Sequence, residues 1–167
     1  VVRTTLENHN GEVSVESHLG AGTTVRMVLP IRQATLVIDG LMVSEGDGRF
    51  VIPFENIREI LEVDRSKLQP VQGRMMIRVR HEVYEATPLR DILALPSPDL
   101  RENPQVTGVL VHSKQGAFCL LVDRVQGHRQ VVVNSLKEAV PEADKMAGVA
   151  QLGGGRLALV LDIAEII

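Results

Sequence analysis

The sequence predicts a mainly β protein, built from two small barrels that pack together and are preceded by a helix and a hairpin. From Ala34 onward β-branched residues dominate, and turn signals such as Gly46-Asp47-Gly48 and Gln72-Gly73 recur at short intervals. Many short strands separated by regular turns indicate an all-β barrel or sandwich. The apolar pattern also repeats at a spacing of 68 residues, which favours two copies of one β unit.

Composition excludes several classes of function. The 167 residues are 44% hydrophobic and 23% charged, as in a globular protein, and the net charge of −3 provides no basic field for nucleic acid or anionic lipid. Cys119 is the single cysteine, so an internal disulfide and a zinc site built on several thiolates are excluded. No apolar stretch approaches the roughly 20 residues of a membrane span. Because the chain starts at Val1 without a signal peptide, we expect a fragment of a longer cytoplasmic protein.

The first thirty residues predict a helix and a hairpin. Residues 1–9 carry helix formers and are followed by the helix stop Asn10-Gly11. Residues 12–17 alternate between apolar and polar, and residues 23–29 form a second strand that ends at Pro30. These elements cannot enclose a core, so they are either the tail of a larger domain or an appendage docked elsewhere.

The repeat organises the remainder of the chain. Residues 40–57 fall on residues 108–125 without a gap. Two units of this size would each be marginal alone, so we expect them to pack against each other. We place the two barrels at residues 34–95 and 105–167, on either side of a polar, proline-rich segment, and leave open an exchange of their ends. The turn glycine, one aromatic position and an acidic residue after the second strand coincide in the two copies: Gly48 with Gly116, Phe50 with Phe118, and Glu55 with Asp123.

Only one turn in the sequence has a pattern typical of a ligand-binding site, in this case a site for a phosphate group. The five histidines stand at no metal-ligand spacing, and there is no nucleophile elbow, P-loop or dinucleotide fingerprint. We therefore predict that residues 34–167 are not an enzyme and hold no metal. In Gly20-Ala21-Gly22-Thr23-Thr24, two glycines allow the backbone to approach a phosphate and a hydroxyl can bond to it. An ordinary hairpin turn is the alternative.

Several segments resemble a known family. Residues 9–30, HNGEVSVESHLGAGTTVRMVLP, resemble the last stretch of the histidine-kinase ATPase fold. The segments ATLVIDGLMV, RFVIPFENIREILEV and GGGRLALVLDIAEII resemble the CheW-like regulatory domain of chemotaxis histidine kinases of the CheA family. The resemblance implies a remnant of the ATPase domain at residues 1–33 and a CheW-like domain of two SH3-like five-stranded barrels at residues 34–167.

The same resemblance implies coupling through protein–protein contacts, with no catalytic residue and no cofactor in this fragment. The parent kinase would autophosphorylate a histidine with ATP and magnesium in two-component signalling, and Gly20, Gly22 and Thr23 would be a partial remnant of its ATP site. The implied partners are a CheW-type adaptor and the cytoplasmic tip of a chemoreceptor, with no nucleic acid and no direct membrane insertion. A fragment that retains nucleotide binding and ATPase function is the alternative. The sequence departs from the family at Arg80-His81, where Arg-Gly is usual, and at Glu85, where proline is usual, which leaves the loop geometry there open.

Recognition between barrels requires apolar side chains that face outward, and strand alternation gives candidates. If Leu41 and Val43 face the core, Met42 between them faces outward, and by the same alternation Val51 and Pro53 share an outward face. Leu41, Met42, Val51 and Pro53 are therefore the predicted partner surface. Burial on both faces of the hairpin is the alternative.

The second copy of the repeat contains another ambiguous apolar run, and both copies contain an acidic residue at a corner. Residues 131–133, three consecutive valines, leave the same choice open in the second copy. Glu55 and Asp123 are predicted to be structural, with carboxylates that accept backbone hydrogen bonds at equivalent corners.

Overall fold

The structure, a computed structural model, describes residues 4–5, 12–28, 36–95, 105–135 and 144–166. The chain divides into two compact units, Val1–Ala34 and Thr35–Ile167. Thr4 and Thr5 are helical, and the rest of the helix predicted over residues 1–9 lies outside the described residues. No helix in the described part of the chain is long and apolar enough to cross a membrane.

The first unit contains the predicted hairpin. Strands β1 (Glu12–His18) and β2 (Gly22–Val28) pair antiparallel, with Val15 directly opposite Val25. Directly opposite residues share a face, and both of these valines are exposed. Two strands have no second layer that could bury an apolar face, so this hairpin does not enclose a core by itself.

The second unit is built from β-strands and short helical turns. Short 3-10 turns lie at Phe54–Asn56, Arg65–Lys67 and Gly153–Gly155. The described strands and the short helix, in chain order, are β3 (Leu36–Glu45), β4 (Gly48–Pro53), β5 (Ile57–Asp64), β6 (Gln69–Val71), β7 (Arg74–Val79), β8 (Glu82–Pro88), α1 (Leu89–Ile92), β9 (Gln105–Ser113), β10 (Gly116–Val122), β11 (Arg124–Ser135), β12 (Met146–Gln151) and β13 (Leu157–Leu161).

Each sheet of this unit combines strands from both copies of the repeat. One sheet is a closed barrel with the strand order β11–β12–β13–β4–β3. The other is a six-stranded sheet with the order β5–β9–β10–β8–β7–β6, which we call the open barrel because its two edge strands are not paired with each other. The hairpin β3–β4 thus completes the barrel of the second half, while β9–β10 completes that of the first half. The halves 34–95 and 105–167 therefore exchange their first hairpins instead of closing separately.

The two exchanged hairpins have the same register. Val43 lies opposite Phe50 in β3–β4, and Val111 lies opposite Phe118 in β9–β10. A β-bulge also interrupts both exchanged pairings, β5 with β9 and β11 with β3, at the same position of the repeat. The two copies of the repeat therefore form the same hairpin and make the same interrupted pairing.

The open barrel differs from the five-stranded prediction, whereas the closed barrel matches it. The ladder of the open barrel ends at β5 and β6, which the turn Arg65–Lys67 separates. Asp64 caps this turn, because its Oδ1 accepts hydrogen bonds from the backbone N and Oγ of Ser66 at 2.9 and 2.7 Å. In the closed barrel β11 continues through the equivalent stretch as one strand. The prediction of a mainly β chain with small barrels is confirmed.

Apolar side chains form one cluster inside each barrel and one between the barrels. Met42 and Val51 point into the closed barrel, whereas Leu41 and Ile52 lie between the barrels. Successive residues of a strand face opposite sides, so residues 41–43 of β3 and 50–52 of β4 are buried on both faces. The cluster between the barrels, the inter-barrel core, consists of Leu41, Val43, Phe50, Ile52, Leu89, Ile92, Val109, Val111, Phe118, Leu120, Val122, Leu161, Ile163 and Ile166.

Two equivalent glycines allow the exchanged hairpins to pack closely. A Cβ atom on Gly40 would lie 2.3 Å from Cγ1 of Val51, and one on Gly108 would lie 2.8 Å from Sγ of Cys119. Both distances are shorter than real Cβ contacts. Each glycine therefore makes room for a side chain of the strand with which its own strand pairs.

Candidate functional site

A row of exposed side chains crosses the outside of the closed barrel. Val37 lies opposite Val132, Val132 opposite Gln151, and Gln151 opposite Leu157. These four residues, the outer row, share one face because directly opposite positions of a sheet do so. Their chain neighbours Val131, Val133, Ala150 and Ala158 fill the barrel interior. The exposed fractions of Val37, Val132 and Leu157 are 52%, 42% and 62%, so three apolar side chains face solvent in a line.

Polar side chains border the outer row on the side of the inter-barrel core. Asp39 lies opposite Gln130, and His128 Nε2 is 3.4 Å from Asp39 Oδ1. The exposed ring of Phe54 packs edge-on against His128, with the ring centroids 5.0 Å apart. An apolar centre with a polar rim is the usual composition of a protein–protein interface.

The open barrel carries charge at the equivalent positions. By the repeat, Asp64 corresponds to Val132 of the outer row, and the pair of Arg78 with Val83 corresponds to the pair of Gln151 with Leu157. Val83 is exposed, but the residue directly opposite it, Arg78, carries a guanidinium, and Asp64 carries a carboxylate where the outer row has Val132. An apolar row at this position therefore distinguishes the closed barrel from the open one.

Three charged side chains meet between the barrels. Arg90 Nε donates to Glu45 Oε1 at 2.5 Å, and Arg90 Nη2 donates to Asp123 Oδ1 at 2.7 Å. The backbone N of Asp123 donates to Glu45 Oε2, and that of Gly46 donates to Asp123 Oδ2, which confirms the predicted structural role of Asp123. Arg90 and Glu45 are almost fully buried. Burial, followed by repulsion from Asp123, raises the pKa of the Glu45 carboxyl despite its bonds to Arg90.

A cavity of about 430 Å³ lies on the open barrel, between β5 and the turn joining β7 to β8. Arg80 and His81 form this turn, and Arg80 Nη2 donates to Glu59 Oε1 at 2.9 Å. The Tyr84 hydroxyl donates to a Glu82 carboxylate oxygen, and this bond raises the pKa of Tyr84. Arg80 has a φ of +56°, so Arg80 rather than His81 takes the left-handed conformation that glycine prefers. The turn therefore accommodates His81 without a positive φ at that residue.

Comparison with known proteins identifies the family. Residues 39–167 match the family model described as the CheW-like domain. The chain belongs to the CheW-like domain family. The fold is also similar to the crystal structure of the scaffolding protein TtCheW from Thermoanaerobacter tengcongensis, with a TM-score of 0.66 and 9% identity over 78% of this chain and 92% of that one.

Curated relatives of this CheW-like chain are chemotaxis proteins. The sensor histidine kinase CheAY of Helicobacter pylori is 28% identical over 98% of this chain and 20% of its own length. The chemotaxis proteins CheA of Klebsiella aerogenes and Rhizobium meliloti are 28% and 33% identical, over 99% and 100% of this chain and 25% and 22% of their own lengths. The chain thus spans a quarter or less of the length of these relatives.

The exposed patch predicted on the first hairpin of the CheW-like domain is wrong. The exposed fractions of Leu41, Met42 and Val51 are 3%, 2% and 0%, and Pro53 is half-buried. At residues 41–43 and 50–52 one face of the hairpin lies in the closed barrel and the other in the inter-barrel core, so the alternative of burial on both faces holds there. The signal was available, because an unbroken apolar run is typical of a strand without a solvent face.

The predicted turn of the first unit is a hairpin turn. Gly20 and Gly22 have φ values of +82° and +101°, so the backbone conformation of the turn requires glycine at both positions. The Thr23 hydroxyl is 2.9 Å from that of Ser17. Every described residue of this hairpin except Val13 is exposed, so the turn alone does not enclose a nucleotide. The assignment of Gly20, Gly22 and Thr23 to an ATP site stays a prediction.

Proposed function

We propose that the CheW-like unit is a docking module that couples a chemotaxis histidine kinase to its signalling partners and catalyses nothing itself. The proposed partners are a CheW-type adaptor and the cytoplasmic tip of a chemoreceptor. The proposed parent chain autophosphorylates a histidine with ATP and magnesium in the cytoplasm. The family match and the relatives named chemotaxis proteins support this role.

The outer row is the observation that carries the proposal. Complete burial of an exposed Val or Leu side chain contributes about 1.5–3 kcal/mol. Val37, Val132 and Leu157 are already about half buried, so docking would gain about 1 kcal/mol from each. The row lies on a regular sheet, so we expect it to bind an apolar face of another small barrel, which a CheW-type adaptor would provide.

The decisive experiment introduces charge into the outer row and measures binding to the cognate adaptor by calorimetry. Leu157→Lys and Val132→Lys are each expected to weaken binding at least tenfold, because each buries a charge in the interface. Val83→Lys is the matched control, since Val83 occupies the position equivalent to Leu157 on the open barrel. It is expected to bind as the unmodified chain does.

Two results would contradict the proposal. Unchanged adaptor binding in both outer-row variants, with circular dichroism showing an intact fold, would remove the outer row from the interface. Heat released on titration with magnesium ATP would instead favour the alternative of a fragment that retains nucleotide binding. That site would then be sought in the first unit, at Gly20, Gly22 and Thr23.

A further inference from the structure

The buried charges between the barrels lie where the chain crosses from one barrel to the other. Asp123 is the single residue between β10 of the open barrel and β11 of the closed barrel. Glu45 ends β3 of the closed barrel, and Arg90 lies on α1, directly after β8 of the open barrel. We call Glu45, Arg90 and Asp123 the clamp. On the same side, Lys145 Nζ donates to the backbone O of Ile92 at 2.6 Å.

The duplication defines an equivalent end of the interface where the clamp is missing. Ser113 stands in place of Glu45 and Glu55 in place of Asp123, as the 68-residue spacing requires. Strands β8 and β13 match at a spacing of 74 residues, because Ala86 and Val160 pair with equivalent positions of the exchanged hairpins, Cys119 and Val51. Ala164 therefore stands in place of Arg90.

The contacts described at that end are weaker. The Ser113 hydroxyl donates to the backbone O of Gly116, within its own turn, at 2.9 Å. Lys114 pairs with Glu165, but their side chains are 66% and 47% exposed. Exposed pairs of this kind contribute little and are screened by salt. In contrast, the side chains of Arg90 and Glu45 are only 4% and 3% exposed.

We propose that the clamp holds one end of the inter-barrel interface and that the barrels separate first at the opposite end, around Ser113 and Ala164. Proteins open locally where contacts are fewest and most exposed. The apolar inter-barrel core spans both ends, so the difference between the ends comes from these charged groups. This inference does not depend on the proposed partners, because it concerns the isolated chain.

Distances between spin labels at equivalent positions test the proposal. One label pair, at Asp47 and Asp91, spans the end of the interface that contains the clamp, the clamped end. The equivalent pair, at Gln115 and Glu165, spans the opposite end around Ser113 and Ala164, the free end. All four labelled residues are exposed. The native Cys119 stays unlabelled because it is buried. The distance distribution at the free end is expected to be at least twice as broad as that at the clamped end.

Two sets of variants then assign the difference to the clamp. Arg90→Met is expected to broaden the clamped end to the width of the free end, and Glu45→Gln serves in its place if that variant fails to fold. The double substitution Ser113→Glu with Ala164→Arg builds a second clamp beside Glu55 and is expected to narrow the free end. This last comparison uses the same two labels, so the loss of the Lys114 pair on labelling does not affect it.

Three outcomes overturn the inference. The first is equal widths at the two ends of the unmodified chain. The second is a clamped end that stays narrow in a folded Arg90→Met or Glu45→Gln variant. The third is a folded double variant whose free end remains as broad as before.

Discussion

Replacing Arg90 with methionine is the most informative test of what holds the two barrels together. Methionine retains an unbranched apolar chain of similar reach but carries no charge. The substitution leaves the Glu45 carboxylate buried, with the backbone N–H of Asp123 as its described donor. The free energy of unfolding is therefore expected to fall at neutral pH.

The expected size of this loss follows from the burial of the two partners. Removing one member of a buried ion pair costs about 3–5 kcal/mol, and the side chains of Arg90 and Glu45 are 4% and 3% exposed. The second pair contributes less, because the Asp123 side chain is 39% exposed. Small domains are stable by about 5–15 kcal/mol in total, so the variant loses a large part of its stability.

Urea denaturation followed by far-ultraviolet circular dichroism measures this loss, since the chain has no tryptophan and a single tyrosine. Arg74→Met is the matched control: Arg74 pairs with Glu85 at 2.8 Å, but their side chains are 70% and 30% exposed, which predicts a cost of about 0–1 kcal/mol. The double variant Glu45→Leu with Arg90→Leu should lose less than Arg90→Met, because no unpaired charge remains buried. An Arg90→Met variant within about 1 kcal/mol of the control would refute the reasoning.

Three further predictions concern other positions in the two barrels. Gly40→Ala and Gly108→Ala should each lower the free energy of unfolding by about 1–3 kcal/mol through overpacking, whereas Gly153→Ala, with open space at its Cβ, should be near neutral in the same urea titration. Because burial raises the pKa of Glu45 above its ordinary 4.5, the native state holds this proton more tightly than the unfolded state does. The stability of the unmodified chain relative to Glu45→Gln should therefore decrease as pH rises above 4.5, and identical pH profiles of the two proteins would contradict this. Cys119, buried and with its pKa raised to about 12, should resist iodoacetamide at pH near 8 until urea unfolds the chain, and rapid alkylation of the native protein would show the opposite.

The sequence predicted the fold more completely than the candidate site. The repeat at 68 residues placed Phe50 and Phe118 at equivalent positions, and the structure pairs them identically with Val43 and Val111. The partner surface was misplaced, because alternation along one strand shows which residues share a face but not what lies beyond that face. Met42 faces away from Leu41 as predicted, yet it points into the closed barrel.

For Val132 the sequence left two choices open, and only the tertiary structure decided between them. Three consecutive valines have no polar–apolar alternation that could mark one side as solvent-exposed. In the closed barrel Val131 and Val133 point inward and Val132 points outward. Which residues join Val132 in the outer row depends on the strands that pair with β11, which are β3 and β12. No local sequence pattern predicts this pairing.

The sequence by itself determined the strands, their turns, the duplication and the family resemblance, since apolar periodicity and turn glycines act over a few neighbouring residues. Only the tertiary structure decided that the first hairpins are exchanged, that Leu41, Met42 and Val51 are buried, and that Arg90 meets Glu45 and Asp123. The contacts of Asp123 with Arg90 and Glu45 join residues 33 and 78 positions apart, and the exchange pairs residues that lie still farther apart in the chain, such as Phe50 with Leu159. Which of many such pairs forms is decided by the packing of whole sheets around a shared core, where hydrophobic burial is summed over all strands at once.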